Sequence, residues 1–90
     1  VNVEKFSIEM VVYLNVRKRI QRLQQQHPKE TIGPSYLERE SGVSKSLWAA
    51  IAKRPQAITL KTLQKMSVAL QCTERDLVAR QGVVDYIQEV

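Results

Sequence analysis

Apolar residues recur along most of this chain at intervals of three and four, with few glycines or prolines to interrupt them. Ile8, Val12, Val16, Ile20 and Leu23 form one such stripe, the mark of a helix with one face turned to a core. Ser7 is placed to cap it and Glu9 lies in its first turn, so a helix is expected over residues 7–26. Phe6, Ile8, Met10, Val12, Leu14 and Val16 also alternate with a period of two, which makes a strand or an arm over residues 1–6 the competing expectation at the start of the chain. His27-Pro28 closes the helix, because the proline ring disfavours helical geometry in the residue before it. Gly33-Pro34 opens a second helix with proline in its first turn; Tyr36 and Leu37 lie on one side of it, and it must stop at Gly42.

Ser44 caps a third helix, expected to run to about Lys53 with Leu47, Trp48 and Ile51 as its apolar positions, before Pro55 breaks it. Trp48 is expected in the core. Thr59 caps a fourth, in which Leu60, Leu63, Met66 and Leu70 recur at helical spacing. Thr73-Glu74-Arg75-Asp76 reads as a capping box with aspartate in the place of glutamate, and starts a fifth helix that Gly82 is expected to end. Val83, Val84, Tyr86, Ile87 and Val90 are too apolar for a free tail. They either close the core or form a subunit interface, and the preferred reading of residues 83–90 is a dimerisation segment. The expected fold is all-α: five short helices in a single domain over residues 1–90, with a candidate sixth at the C-terminal end.

Composition narrows what such a bundle does. Ninety residues suffice for one hydrophobic core and not for two. No apolar run is long enough to span a membrane, and no leader pattern is apparent. Cys72 is the single cysteine, so no internal disulfide forms and a reducing, cytoplasmic setting is expected; its neighbours Leu70 and Leu77 mark it as a buried small hydrophobe. His27 has no cysteine or second histidine near it, so neither a metal nor a cofactor is expected. Glu38 and Glu40 fall on different faces of a helix and make no catalytic pair. With no glycine-rich phosphate loop and no nucleophile–base set, an enzyme is not expected.

The net charge of +5 favours polyanionic partners without choosing one, but its distribution is more telling. Between Glu40 and Glu74 stand Lys45, Lys53, Arg54, Lys61 and Lys65, and no acidic residue. The plain reading of such a stretch is a solvated helical surface, and the same holds for Arg17, Lys18, Arg19 and Arg22 on the first helix. Against that stands the register of the charges with Gly42-Val43-Ser44. Gly42 permits the positive φ at which two helices meet steeply, Val43 can bury in the angle, and Ser44 caps the helix that follows.

With Leu37, Gly42, Val43 and Ser44 at the turn, Trp48 and Ile51 on the third helix, and Leu60, Leu63, Ala69, Leu70 and Leu77 beyond it, the chain resembles the phage-repressor and Cro-like (XRE-type) helix-turn-helix domains. The match covers residues 36–77 and, more loosely, the first helix. The resemblance implies a lambda-repressor-like fold and a sequence-specific DNA-binding transcriptional regulator, a repressor by preference, whose third helix docks in the major groove of double-stranded DNA. It puts Lys45, Ser46 and Ala50 at the positions that face base edges. It puts Ser44, Lys53, Arg54, Gln56 and Lys61 near phosphates. Family members read two half-sites as dimers, so a homodimer is expected. The chain departs from the pattern at Glu38, where a small alanine is usual, at Pro34, where glutamine often opens the second helix, and at Ala52, where glutamate is frequent. Leu47-Trp48-Ala49-Ala50 is poor in hydrogen-bonding groups. That composition supports a second reading, a protein-interaction module that keeps the fold without reading bases.

Overall fold

A computed structural model describes residues 2–89, the side chain of Glu89 excepted; their regular elements are all helices, with no strand among them. The long first helix, α1 (Ile8–Gln26), is capped by Ser7, whose Oγ accepts from the Met10 amide at 3.2 Å. It is followed by α2 (Pro34–Ser41), α3 (Lys45–Ile51), α4 (Leu60–Ala69), α5 (Glu74–Val78) and α6 (Arg80–Glu89). Helix α1 packs against α5 and α6, α2 lies against α3 and α4, and α4 meets α5. No described helix is long and apolar enough to cross a membrane.

The main core gathers Val12, Val16 and Leu23 of α1 with Leu37, Val43, Trp48, Ile51, Leu63, Met66 and Leu77. These are largely the stripes read from the sequence, because burying a helix of five to nineteen residues is what makes it stable at all. Cys72 is only half-buried at the edge of this core, and desolvation holds its thiol above the ordinary value. The first residues form neither strand nor free arm. Val3–Lys5 make a 3-10 turn capped by Asn2, and Val3 joins Val11 and Val83 in a second small core. Arg80 fastens that turn by donating to the carbonyls of Val3 and Phe6 at 2.9 and 2.8 Å. Val1 lies outside the described residues, as does Val90.

Gly82 does not end the fifth helix. Helix α5 stops at Val78, Ala79 is extended (φ −80°, ψ 121°), and Gly82 sits inside α6. The reason is the buried Asn15 on α1, whose Nδ2 donates to Leu77 O and Ala79 O, both at 3.0 Å. Those carbonyls turn to the asparagine instead of to the next helical turn. Gly82 is needed for close approach. A Cβ there would stand 2.6 Å from Lys18 Nζ and 2.7 Å from Asn15 Oδ1, and Lys18 also donates to the Gly82 carbonyl. Val83 is fully buried by this packing and Val84 and Ile87 lean on the same cluster, so these three close a core within the chain.

Two stripe positions are exposed outright, and Ile20 is half-buried. Ile8 is 48% exposed and Leu60 62%, each being the first residue of its helix.

Replacing Asn15 with alanine strips two buried carbonyls of their donor. The expected loss is about 1–3 kcal/mol of stability, read by urea denaturation, with α6 losing amide-exchange protection first. Asp76 gives a pH-dependent counterpart. Its carboxylate accepts from the Thr73 amide at 3.0 Å and closes the α5 capping box, and that hydrogen bond, with the others Thr73 makes, holds its carboxyl below the ordinary 3.8. A depressed folded-state value means that the stabilisation is complete above 3.8 and fades as pH falls through the lower one. Thermal melts on acidification should therefore show a steeper decline for the wild type than for Asp76→Asn.

Candidate nucleic-acid interface

The steep meeting of α2 and α3 is built by three residues and locked by two more. Gly42 takes the left-handed conformation (φ 77°) and its amide donates to Glu38 O at 2.8 Å, ending α2. Val43 is buried in the angle. Ser44 Oγ accepts from the Leu47 amide at 3.3 Å and starts α3. Ser41, the last residue of α2, then receives the indole N–H of Trp48 at 3.1 Å and the amide of Val43 at 3.0 Å on one hydroxyl oxygen. Its own hydroxyl donates to Leu37 O. Trp48 is 1% exposed, so this bond satisfies a polar group that burial would otherwise orphan.

Glu38 supplies the second lock. Its Oε2 accepts from the Lys45 amide at 2.7 Å, which neutralises one of the free donors at the start of α3 and places a negative charge at the positive end of that helix. The residue that departs from the small-residue pattern of the crossing is thus exposed and bridges the two helices. Ser41 and Trp48, and Glu38 and Lys45, are both seven positions apart in the chain. Neither pair is visible in periodicity or composition; the spacing across a glycine turn is the only signal of them in the sequence. The magnitudes separate their roles. Removing a buried tryptophan costs about 3–5 kcal/mol, whereas an exposed carboxylate at a helix end is worth about 0.3–1 kcal/mol. Trp48 holds α3 in place, and Glu38 adjusts its start.

Helix α3 is shorter than its pattern suggested. It ends at Ile51, and the amides of Lys53 and Arg54 both turn back to Ala50 O, at 3.1 and 3.2 Å. That turn throws Lys53 and Arg54 outward, and together with Ser46, Ala49 and Ala50 they line one open depression along α3. Lys45 is exposed at the head of the same helix. Leu47 leans into the main core, so it adds little to an outward apolar patch. Arg17 on α1 shares a depression with Ile51 and Ala52 at the tail of α3, its guanidinium over the Tyr13 ring and donating to the Tyr13 hydroxyl at 2.7 Å. The other cations of that run go elsewhere: Lys18 is buried against α6, and Arg19 stands 3.8 Å from Asp76. Gln56 lines a different depression with Ile8 and Ile58, and its Nε2 donates to Arg54 O at 3.5 Å. Lys61 is exposed in the first turn of α4.

The face that results is electrostatically uneven. Lys53, Arg54 and Arg17 gather at the tail of α3, while its head carries Lys45 beside the Glu38 carboxylate. Among the described residues no three of the His, Cys, Asp and Glu side chains gather as metal ligands do. No protein-family model, curated protein or solved structure matches the chain.

Glu38→Ala is expected to lower stability by about 0.3–1 kcal/mol at low salt and by less at high salt, since the interaction is exposed and screened. Paired urea titrations at two ionic strengths check it.

Proposed function

We propose that this chain is a sequence-specific DNA-binding transcriptional regulator, a repressor by preference, that lays α3 in the major groove. The observation that carries the reading is the α2–turn–α3 unit, in which a rigidly held short helix presents an acid-free outer face with cations thrown out at its tail. Helix α3 is narrow enough for the groove, and a groove walled by phosphates rewards cations at the helix margins. Lys53 and Arg54 are the backbone contacts, with Lys61 as a further one; Ser44, beside the Glu38 carboxylate at the head of α3, and Gln56, which lines another depression, are the weakest of the set. Lys45 reads base edges, with guanine O6 and N7 its natural target, and Ser46 is a short adaptable donor and acceptor. Ala50 offers only a methyl to thymine. A regulator of this kind works in the compartment that holds the DNA, here the cytoplasm, and represses by occupying a site that transcription needs.

The uneven face supports modest direct readout. A carboxylate at the head of α3 disfavours phosphate there, so the helix is anchored by its tail. Much of the discrimination then comes from DNA shape and from the spacing of two copies. The other reading, a protein-interaction module on the same scaffold, draws on the alanines of the outer face, Ala49 and Ala50.

Titration against random-sequence duplex at several salt concentrations separates the two. With three cationic phosphate contacts per copy (Lys53, Arg54 and Lys61), log affinity should fall with log salt at a slope of roughly −3. Binding that is flat in salt, or absent at low salt, would leave the interaction module as the better reading. Lys45→Ala should relax preference at one base pair by about 1–3 kcal/mol in a competition panel; uniform weakening across all sequences would reassign Lys45 to phosphate.

A further inference from the structure

The end of α4 meets α1 at a small pocket of about 160 Å³, lined by Arg19, Arg22, Leu23, Gln26, Leu70 and Gln71. At 3.6 residues per turn, Arg19, Arg22 and Gln26 stand about 140–200° round α1 from Arg17. The pocket therefore opens on the opposite side of that helix from the tail of α3. Its volume holds about five waters at ~30 Å³ each, which admits a phosphate group and not a whole nucleotide. All of its polar side chains can donate hydrogen bonds, and no acid is among the described residues that line it. Donors gathered around so small a space fit a compact oxyanion, and guanidinium donors favour phosphate.

Two locally unfavourable features meet here. The first is Gln71. Helix α4 ends at Leu70 in a Schellman turn, the amide of Gln71 donating to Val68 O at 3.2 Å and that of Cys72 to Ser67 O at 3.0 Å. Such a turn needs a left-handed residue, and Gln71 supplies it at φ 59°, alone among the described non-glycine residues. Glycine takes that conformation without a Cβ penalty, so the chain accepts strain to keep a glutamine side chain at the pocket. The second is Arg19. Its side chain is 24% exposed, yet its Nε–H is buried without an acceptor. Asp76 stands 3.8 Å from its Nη2, too far for a hydrogen bond. A guanidinium with unmet donors is where an oxyanion gains most.

Asp76 and the end of α4, with its partial negative charge of about one half, oppose an anion nearby. Both are already engaged. The Asp76 carboxylate accepts from the Thr73 amide and feels Lys18 as well as Arg19, and the Schellman amides take the Ser67 and Val68 carbonyls.

We propose that this pocket binds a small phosphate-type anion, with Arg19, Arg22, Gln26 and Gln71 as its donors. Bound there, the anion joins α1 to the end of α4. Because the pocket lies off the α3 face, the phosphate is that of a free ion or a small monoester and not of DNA held by α3. The site stands whether or not α3 reads DNA, and it is measured without DNA.

Inorganic phosphate and glycerol phosphate are the probes, titrated into the whole chain at constant ionic strength with amide chemical shifts as the readout. The amides of Arg19, Gln26 and Gln71 should move and saturate, and the melting temperature should rise with phosphate; chloride or acetate at matched ionic strength should do neither. Shifts that never saturate, or that follow ionic strength alone, overturn the proposal. Gln71→Gly separates binding from structure. It relieves the left-handed strain, so without phosphate it should melt higher than the wild type, yet it should bind phosphate about tenfold more weakly. Arg19→Lys keeps the charge, loses the fork and should weaken binding by a similar factor. Unchanged phosphate affinity in both variants overturns the assignment. A short duplex that displaces phosphate and moves the same amides overturns the free-anion source and gives the pocket to the DNA backbone.

Discussion

The orientation of α3 rests on one hydroxyl. Ser41 Oγ, at the last position of α2, takes the indole N–H of Trp48 and the amide of Val43, and so ties the end of one helix, the turn and the middle of the next helix to a single atom. A seven-residue helix has too few internal hydrogen bonds to persist alone. It exists because Trp48 and Ile51 are fully buried, and its direction is held by that burial together with the indole N–H bond to Ser41. Gly42 makes the turn sterically allowed, but many turns are allowed. The tryptophan–serine bond selects this one, and the positions of Lys45, Ser46, Lys53 and Arg54 follow from it.

Helix starts were legible in the sequence because their chemistry is local. Ser7, Ser44, Thr59 and Thr73 each accept from an amide three residues ahead, and a capping residue needs no tertiary information to act. Helix ends were less legible. Gly82 read as a terminator by its propensity, yet α5 is ended by Asn15, sixty-two positions from Leu77 in the chain, and Gly82 serves the approach of α6 to α1. Burial showed the same division. The periodicity identified the inner faces of α1 and α4, but how far along each helix the core extends depends on which neighbours reach it. Nothing near Ile8 or Leu60 in the sequence carries that information. The outer face of α3 was legible as a set of residue types. Its unevenness was not, because it comes from a carboxylate on another helix and from a terminal turn that redirects Lys53 and Arg54.

Glu38 changes how that face has to be understood. A helix beginning with unoccupied amides attracts phosphate at its head. Here one of those amides is taken by a carboxylate, and the cations sit mostly at the other end. On the DNA-binding reading, α3 then approaches the groove tail-anchored, with its head close to base edges and kept off the backbone. That arrangement makes Lys45 available to bases, since a phosphate that would otherwise compete for its ammonium is repelled by the neighbouring acid.

Charge and apolar surface are segregated on this small domain, and the segregation has a physical logic. On the DNA-binding reading, a chain of net charge +5 presents its cations where a polyanion neutralises them. Glu9 and Glu74 stand beside the exposed aliphatic residues Ile8, Leu60 and Val78, while residues 41–73 carry no acid at all. The loop from α3 to α4 connects the two, with Lys53 and Arg54 at its start and Ala57, Ile58 and Leu60 at its end.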